Sequence, residues 1–440
     1  MTIARRSMSL RIPTLGAVAI TALAALAMLA APARAGVLVV DASGGGEFTS
    51  LPLALAGAQD GDTVLVRPGN YVVPVSPPVV VDRSLTIAGD GTGPVFTGPI
   101  KVIQNVPGKR VVLRNLVASA QGFNNLFEGL SVQGGDVLAE DCSFQGHDGM
   151  VSIGGTAGFA GARVDSGHLV LVRCTVTGGR GTDTFFPYVP NGTRGGDGVQ
   201  AFARVSIYGS TILGGDGGDF VGFGGAQGTG GVGGAGVWGE LCSVFLGGTT
   251  AQGGDAGDGD LITQSPLDYA GGDGGTLVGP CDLRVVGTLF VGGAGGQIAG
   301  GGIGQTGSSL NAIFSTVIEY PGPYRSYQLG PATPEGSSVQ LDYAGVQGDL
   351  VLLFVALSPA GAPLPGKQGV WHLGTPLLGP YLFGPVSAAD GTLSLSILVP
   401  AGGLTPDVAV LLYEQAFVKP ANGPALLSSP STHLVVDDNL

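Results

Sequence analysis

Charge is what this sequence has least of. Of its 440 residues only 12% are charged, with 19 Lys and Arg against 32 Asp and Glu, for a formal net charge of −13. A chain this acidic repels nucleic acid and anionic membranes, so neither is expected as a partner. Histidines number four and cysteines four, and no two cysteines form a CxxC pair, which argues against a zinc site. No Ser/His/Asp arrangement emerges from the spacing. After residue 35 no apolar run approaches the roughly 20 residues needed to span a membrane. The abundant residue is glycine, 82 in all. That much glycine argues against a helical bundle, because each one costs about 1 kcal/mol in a helix interior. The glycines come in pairs rather than at every third position, which excludes collagen. With 44% apolar residues the chain is not a charge-driven disordered one either. A β-rich, loop-rich protein remains.

Residues 1–35 have the form of a secretory signal peptide. Arg5, Arg6 and Arg11 precede the apolar stretch Leu15–Ala30, and Ala33-Arg34-Ala35 offers a small-residue cleavage site. Export is therefore expected, with a mature chain of net charge −17 outside the cytoplasm.

The body of the chain repeats. Segments ending at Gly178-Gly179, Gly214-Gly215, Gly253-Gly254 and Gly292-Gly293 align, at spacings of 36, 39 and 39 residues. Each carries a short apolar alternation that reads as a strand, with a second short strand about 15–20 residues upstream. Two strands per copy joined by Gly-rich bends predict a solenoid whose coils stack as parallel strands. The Gly-rich inserts are expected to protrude as loops. At the N-terminal end, a strand at 37–40, a helix at about 50–58 and a strand at 63–67 suit a capped first coil. Ser50 is placed to cap the helix and Pro52 falls in its first turn.

Asp60-Gly61-Asp62-Thr63-Val64 and Arg67-Pro68-Gly69-Asn70-Tyr71, behind that short amphipathic helix, closely resemble the opening segment of exported proteins of the pectin-lyase-like superfamily. The resemblance covers about residues 37–320. It implies a right-handed parallel β-helix with an N-terminal cap helix. It implies little about activity, because that superfamily hosts lyases, hydrolases, esterases, epimerases and non-catalytic surface proteins. After Pro321 the glycine pairs vanish. A linker over 321–335 and a small antiparallel β-sandwich over 336–440 are expected, following a β-helix over 36–320.

The repeat register nominates sites. Cys142 and Cys174 occupy equivalent positions in neighbouring copies, as do Cys242 and Cys281. Stacked strands lie about 4.8 Å apart, within disulfide reach. The two pairs are read as disulfides or, alternatively, as ladders of buried thiols. Asp183, Asp219 and Asp258 fall in one column, and Asp216 and Asp255 in a second. Stacked carboxylates of this kind suit calcium, or are simply solvated turn residues beside glycine. Phe185, Phe186, Tyr188, Phe220, Phe223 and Tyr269 cluster in the same inserts, with Trp238 on a nearby strand. They suit a sugar-stacking surface, or pack the inserts onto the solenoid.

No catalytic motif of the superfamily is present. Gly146-His147-Asp148-Gly149 lacks the paired aspartates that accompany such a segment in polygalacturonases. The expectation is an exported, non-catalytic protein that binds a polysaccharide or cell-surface component through its Gly/Asp/aromatic inserts. The alternative is a polysaccharide lyase or glycoside hydrolase.

Overall fold

The computed structural model describes residues 36–437 apart from 73–77, 105–107, 123–126, 151–154, 186–190, 222–227, 260–269, 299–301, 331, 364–367, 400, 403 and 405–407. The expected signal peptide lies outside the described residues. Among them no helix is long and apolar enough to cross a membrane.

Parallel pairing dominates. A sixteen-stranded sheet and an eight-stranded sheet run the length of a β-helix. Each central coil carries three strands, not two: Val199–Ala201, Arg204–Tyr208 and Thr211–Leu213 make one, and Val237–Glu240, Ser243–Gly247 and Thr250–Gln252 the next. The segment read as a single strand, HLVLVRCTVT, bends at Arg173, which has φ 52°. Asn115, Asp141, Gly209, Gly248 and Gly287 adopt the same left-handed conformation at the equivalent point of other coils. One such residue turns the chain sharply from one sheet to the next. Inward residues stack in register: Leu169 on Val205, Val205 on Val244, Val244 on Leu283. All four are essentially buried and belong to one continuous core.

The helix Leu51–Gly57 closes the first coil. It buries Leu51, Ala54 and Leu55 against that core, and Pro52 sits in its first turn. Ser50 is the N-cap residue in extended conformation, but its side chain makes no capping hydrogen bond.

In their described parts the Gly-rich inserts are not free loops. They form two facing layers hydrogen-bonded to each other in a zigzag. Gly196 donates its N–H to Gly179 O (2.8 Å), Gly215 to Gly196 (2.7 Å), Gly234 to Gly215 (2.8 Å) and Gly254 to Gly234 (2.8 Å), and the series continues to Gly307. The outgoing layer reads in triplets, such as Gly214-Gly215-Asp216 and Gly217-Gly218-Asp219. Three residues per turn is the period of a polyproline-II-type chain, which has no internal hydrogen bonds. Its backbone groups must therefore bond between chains. The two layers approach so closely that a Cβ at Gly217 would lie 1.9 Å from Gly231 O. The first glycine of each triplet faces the opposing layer, the second faces the preceding coil of its own layer, where a Cβ at Gly218 would lie 1.9 Å from Thr182 O, and the third residue points out.

The region after Tyr320 is a second unit. A three-stranded antiparallel sheet (Ser326–Leu329, Ser338–Ala344, Thr392–Leu398) packs on a five-stranded one that includes Leu350–Ala356, Ala409–Lys419 and Leu426–Val436. Tyr327, Leu341, Tyr343, Val351 and Val418 lie in its core. Two strands, Ser326–Leu329 and Thr333–Pro334, fall within the span expected to be a linker. This unit lies along the flank of the β-helix. Val112, Leu138, Val170 and Tyr208 of the solenoid join Ala356, Val370, Leu373 and Tyr413 in one buried cluster.

Candidate functional site

An open groove of 320 Å³ lies where the eight-stranded sheet meets the outgoing glycine layer. Four successive coils contribute in the same way. Gln145, Thr177, Leu213 and Gln252 are register partners at the ends of the strands Ser143–Gln145, Thr175–Thr177, Thr211–Leu213 and Thr250–Gln252. Three residues further on, Asp148, Arg180, Asp216 and Asp255 form the opposite wall. The glycines between them form the floor. The groove follows the stacking direction for about 15 Å, given the 4.8 Å coil rise.

The aspartate columns have a structural cause. In each column one carboxylate oxygen accepts the backbone N–H of the equivalent residue one coil on. Asp216 Oδ1 accepts from Asp255 N (2.8 Å), and Asp255 Oδ1 from Ala294 N (2.7 Å). Asp183 Oδ1 accepts from Asp219 N (2.9 Å), Asp219 Oδ1 from Asp258 N (2.8 Å) and Asp258 Oδ1 from Gln297 N (2.7 Å). Asp148 starts the first column by accepting from Arg180 N at 2.7 Å. A third column, not expected from the sequence, runs through Asp197 to Ala235 N (2.8 Å) and Asp273 to Ser308 N (2.7 Å). The side chains thus supply acceptors that the backbone ladder lacks at these points.

Repulsion within the column of Asp183, Asp219 and Asp258 is reduced by a cation of the chain itself. Arg180 lies 2.9 Å from Asp183 and 2.8 Å from Asp219. All three side chains are exposed enough for solvent to weaken the pairing. Among the described residues no three His, Cys, Asp or Glu side chains converge as a metal site would require. The residues read as a calcium site therefore meet backbone N–H groups and Arg180 rather than one shared point.

Neither Phe220 nor Trp238 lines this groove. Phe220 is buried, 5% exposed, so it packs the insert rather than presenting a face. Trp238 lies on the sixteen-stranded sheet, tilted against Phe202 at 5.2 Å, and does not line the groove. Phe185 ends the short strand Thr184–Phe185. Phe186, Tyr188, Phe223 and Tyr269 lie outside the described residues.

All four cysteines are buried thiols. The expected partners are neighbours, with Cys242 Sγ 3.0 Å from Cys281 Sγ. The corner that Cys142 and Cys174 share explains those two. Cys142 Sγ donates to Glu140 O (3.3 Å) and Cys174 Sγ to Val172 O (3.4 Å). In the following coils Ser210 Oγ donates to Tyr208 O (2.9 Å) and Thr249 Oγ1 to Gly247 O (3.3 Å). The thiol serves as a small donor to the carbonyl two residues back, in a column otherwise filled by hydroxyls.

No family model matches the chain, and no curated protein matches it.

Proposed function

We propose that this protein is exported and holds a polysaccharide or another hydroxyl-rich cell-surface component in the groove, without cleaving it. The groove itself supports this reading. Its walls offer carboxylates, amides, a hydroxyl and a guanidinium, which bond sugar hydroxyls, and Leu213 adds apolar contact. Because the same two positions of each coil line the walls, a linear polymer lying along it meets side chains at regular steps.

A polysaccharide hydrolase or lyase is the second reading, favoured by Asp216, Asp255 and Arg180 sharing the groove. Against it, Asp216 and Asp255 are exposed and each is held as an acceptor by a backbone N–H. A general acid needs a carboxyl shielded by apolar surroundings.

The test is a panel of neutral and uronic-acid polysaccharides, scored for binding by calorimetry, for new reducing ends and for ultraviolet absorbance of unsaturated products. Binding without products is expected, weakened at least tenfold by Gln252→Ala. New reducing ends would make the protein a hydrolase, and absorbance as well would make it a lyase. Failure to bind any member would remove the glycan reading.

A further inference from the structure

Three of the four histidines of this chain are buried where the C-terminal unit meets the β-helix. His168 projects from the outer face of the solenoid strand Ala162–Val172, and His372 from the strand Val370–Leu373 of the C-terminal unit. Their rings stack across the interface, centroids 5.8 Å apart and 22° from parallel. His168 Nε2 lies 3.0 Å from Ser206 Oγ, and His372 Nε2 lies 2.6 Å from the Tyr208 hydroxyl. His433, on the strand Leu426–Val436, has its Nε2 buried with no hydrogen-bond partner among the described residues.

The charged groups around these rings are of both signs. Asp136 and Arg204 are the register partners of His168 on its two neighbouring strands, and Arg110 pairs with that Asp136. Tyr413 joins His168 and His372 around a small cavity between the units. Around His433 stand Arg114 and Glu140, with Arg173 on the far side of that carboxylate. Glu414 is buried nearby and accepts the Tyr327 hydroxyl at 2.6 Å.

We propose that this interface is opened by acid: proton uptake by His168, His372 and His433 releases the C-terminal unit from the flank of the β-helix while both units remain folded. Each unit has a core of its own, separate from the cluster that joins them. Two stacked rings cannot both charge, and an imidazolium at His433 would gain no acceptor at Nε2.

The sign of the pH dependence follows from the docked state. Burial, then Arg204, lowers His168 from 6.5 to about 3. Burial, His168 and Arg204 lower His372 well below 6.5. Burial and Arg114 lower His433 to about 4 against the pull of Glu140. Once exposed, each returns toward its ordinary value of about 6.5. Docking free energy from these groups is thus complete above pH 6.5 and declines below it. Glu414 acts oppositely, since burial raises it to about 7 and it binds a proton in the docked state first. Three protons taken up on release less one lost leaves two, so docking weakens about a hundredfold per pH unit between about 6.5 and 4.5.

Hydrogen–deuterium exchange of the full chain at pH 7.5 and 5.0, corrected for the intrinsic rate, tests this. The Thr432 amide, which bonds across the interface to Glu140, should lose protection at pH 5.0, while the strand Thr175–Thr177 of the eight-stranded sheet keeps it. In the double variant His168→Gln/His433→Gln the loss should vanish, since two proton acceptors are gone. The single variant His168→Gln should reduce the dependence to about tenfold per pH unit. Equal interface protection at both pH values would overturn the proposal. So would loss of protection in Thr175–Thr177 together with the interface, because that is unfolding of the whole chain.

Discussion

Glu140 and Thr432 lie 292 residues apart in the chain and meet at 3.0 Å, the Thr432 N–H donating to Glu140 Oε2. The hydroxyls of Thr432 and Ser431 donate to the same carboxylate, which also pairs with Arg173 at 2.5 Å and Arg114 at 3.5 Å. Glu140 is completely buried. One solenoid side chain thus pins both the guanidiniums of neighbouring coils and the last long strand of the C-terminal unit.

Removing that carboxylate leaves two buried guanidiniums with less compensation. Glu140→Ala should cost about 3–5 kcal/mol in denaturant unfolding. Burial raises the Glu140 carboxyl, but Arg114, Arg173 and the bonds from Ser431 and Thr432 outweigh it and hold it below 4.5. Its contribution is therefore present above about pH 4.5 and lost as pH falls through the docked value. The variant should accordingly show a smaller loss of stability than wild type on acidification below pH 4.5. An unchanged acid profile would mean that the ion pairs contribute nothing.

The glycine layers should tolerate no side chain on their facing positions. Gly217→Ala would bring a Cβ to 1.9 Å from Gly231 O, a backbone atom of the opposing layer that cannot move without separating the layers. A loss of at least about 3 kcal/mol is expected. Gly330→Ala, where a Cβ meets nothing within 4 Å, should stay within about 0.5 kcal/mol of wild type. Comparable midpoints for the two variants would show that the layers are not packed this way.

The cysteines should react only on unfolding. Burial and the neighbouring Cys174 push the Cys142 thiol up, and burial and Cys281 do the same to Cys242. Since the thiolate is the reactive form, an aromatic disulfide reagent at neutral pH should label the native protein slowly. Four thiols should appear after denaturation without reductant. Two or none would mean that the stacked pairs are oxidised.

The aspartate columns should need no calcium. Their carboxylates accept backbone N–H groups, and Arg180 sits between Asp183 and Asp219. The melting temperature should be the same in excess EDTA and in millimolar calcium. A rise of several degrees with calcium would place a cation on Asp216, Asp255 or their neighbours. Asp219→Ala should cost about 0.5–1.5 kcal/mol, the worth of the bond to Asp258 N.

Much of the solenoid was legible because a stacked coil repeats its register in the sequence. The spacing of the glycine pairs placed Asp216 beside Asp255 and Cys242 beside Cys281, and both juxtapositions are found. The bend at Arg173 was not legible from that copy alone, since a left-handed Arg looks like any strand residue. Its counterparts Gly209, Gly248 and Gly287 carried the signal. The covered flank had a signal too. Leu169-Val170-Leu171-Val172 is apolar without alternation, as expected of a strand buried on both faces. The groove left no motif, because its floor is absent side chains and its walls come from four coils.

By itself the sequence determined the period, the inward columns of Val, Leu and Ile, the capping helix and the all-β character. These follow from local patterns that recur at each coil. Tertiary structure alone decided that glycine triplets pack as two bonded layers, that aspartates serve the N–H of the next coil, and that the C-terminal unit lies along the flank. Those outcomes depend on which backbone groups lack partners once the coils are stacked, and no local pattern records that.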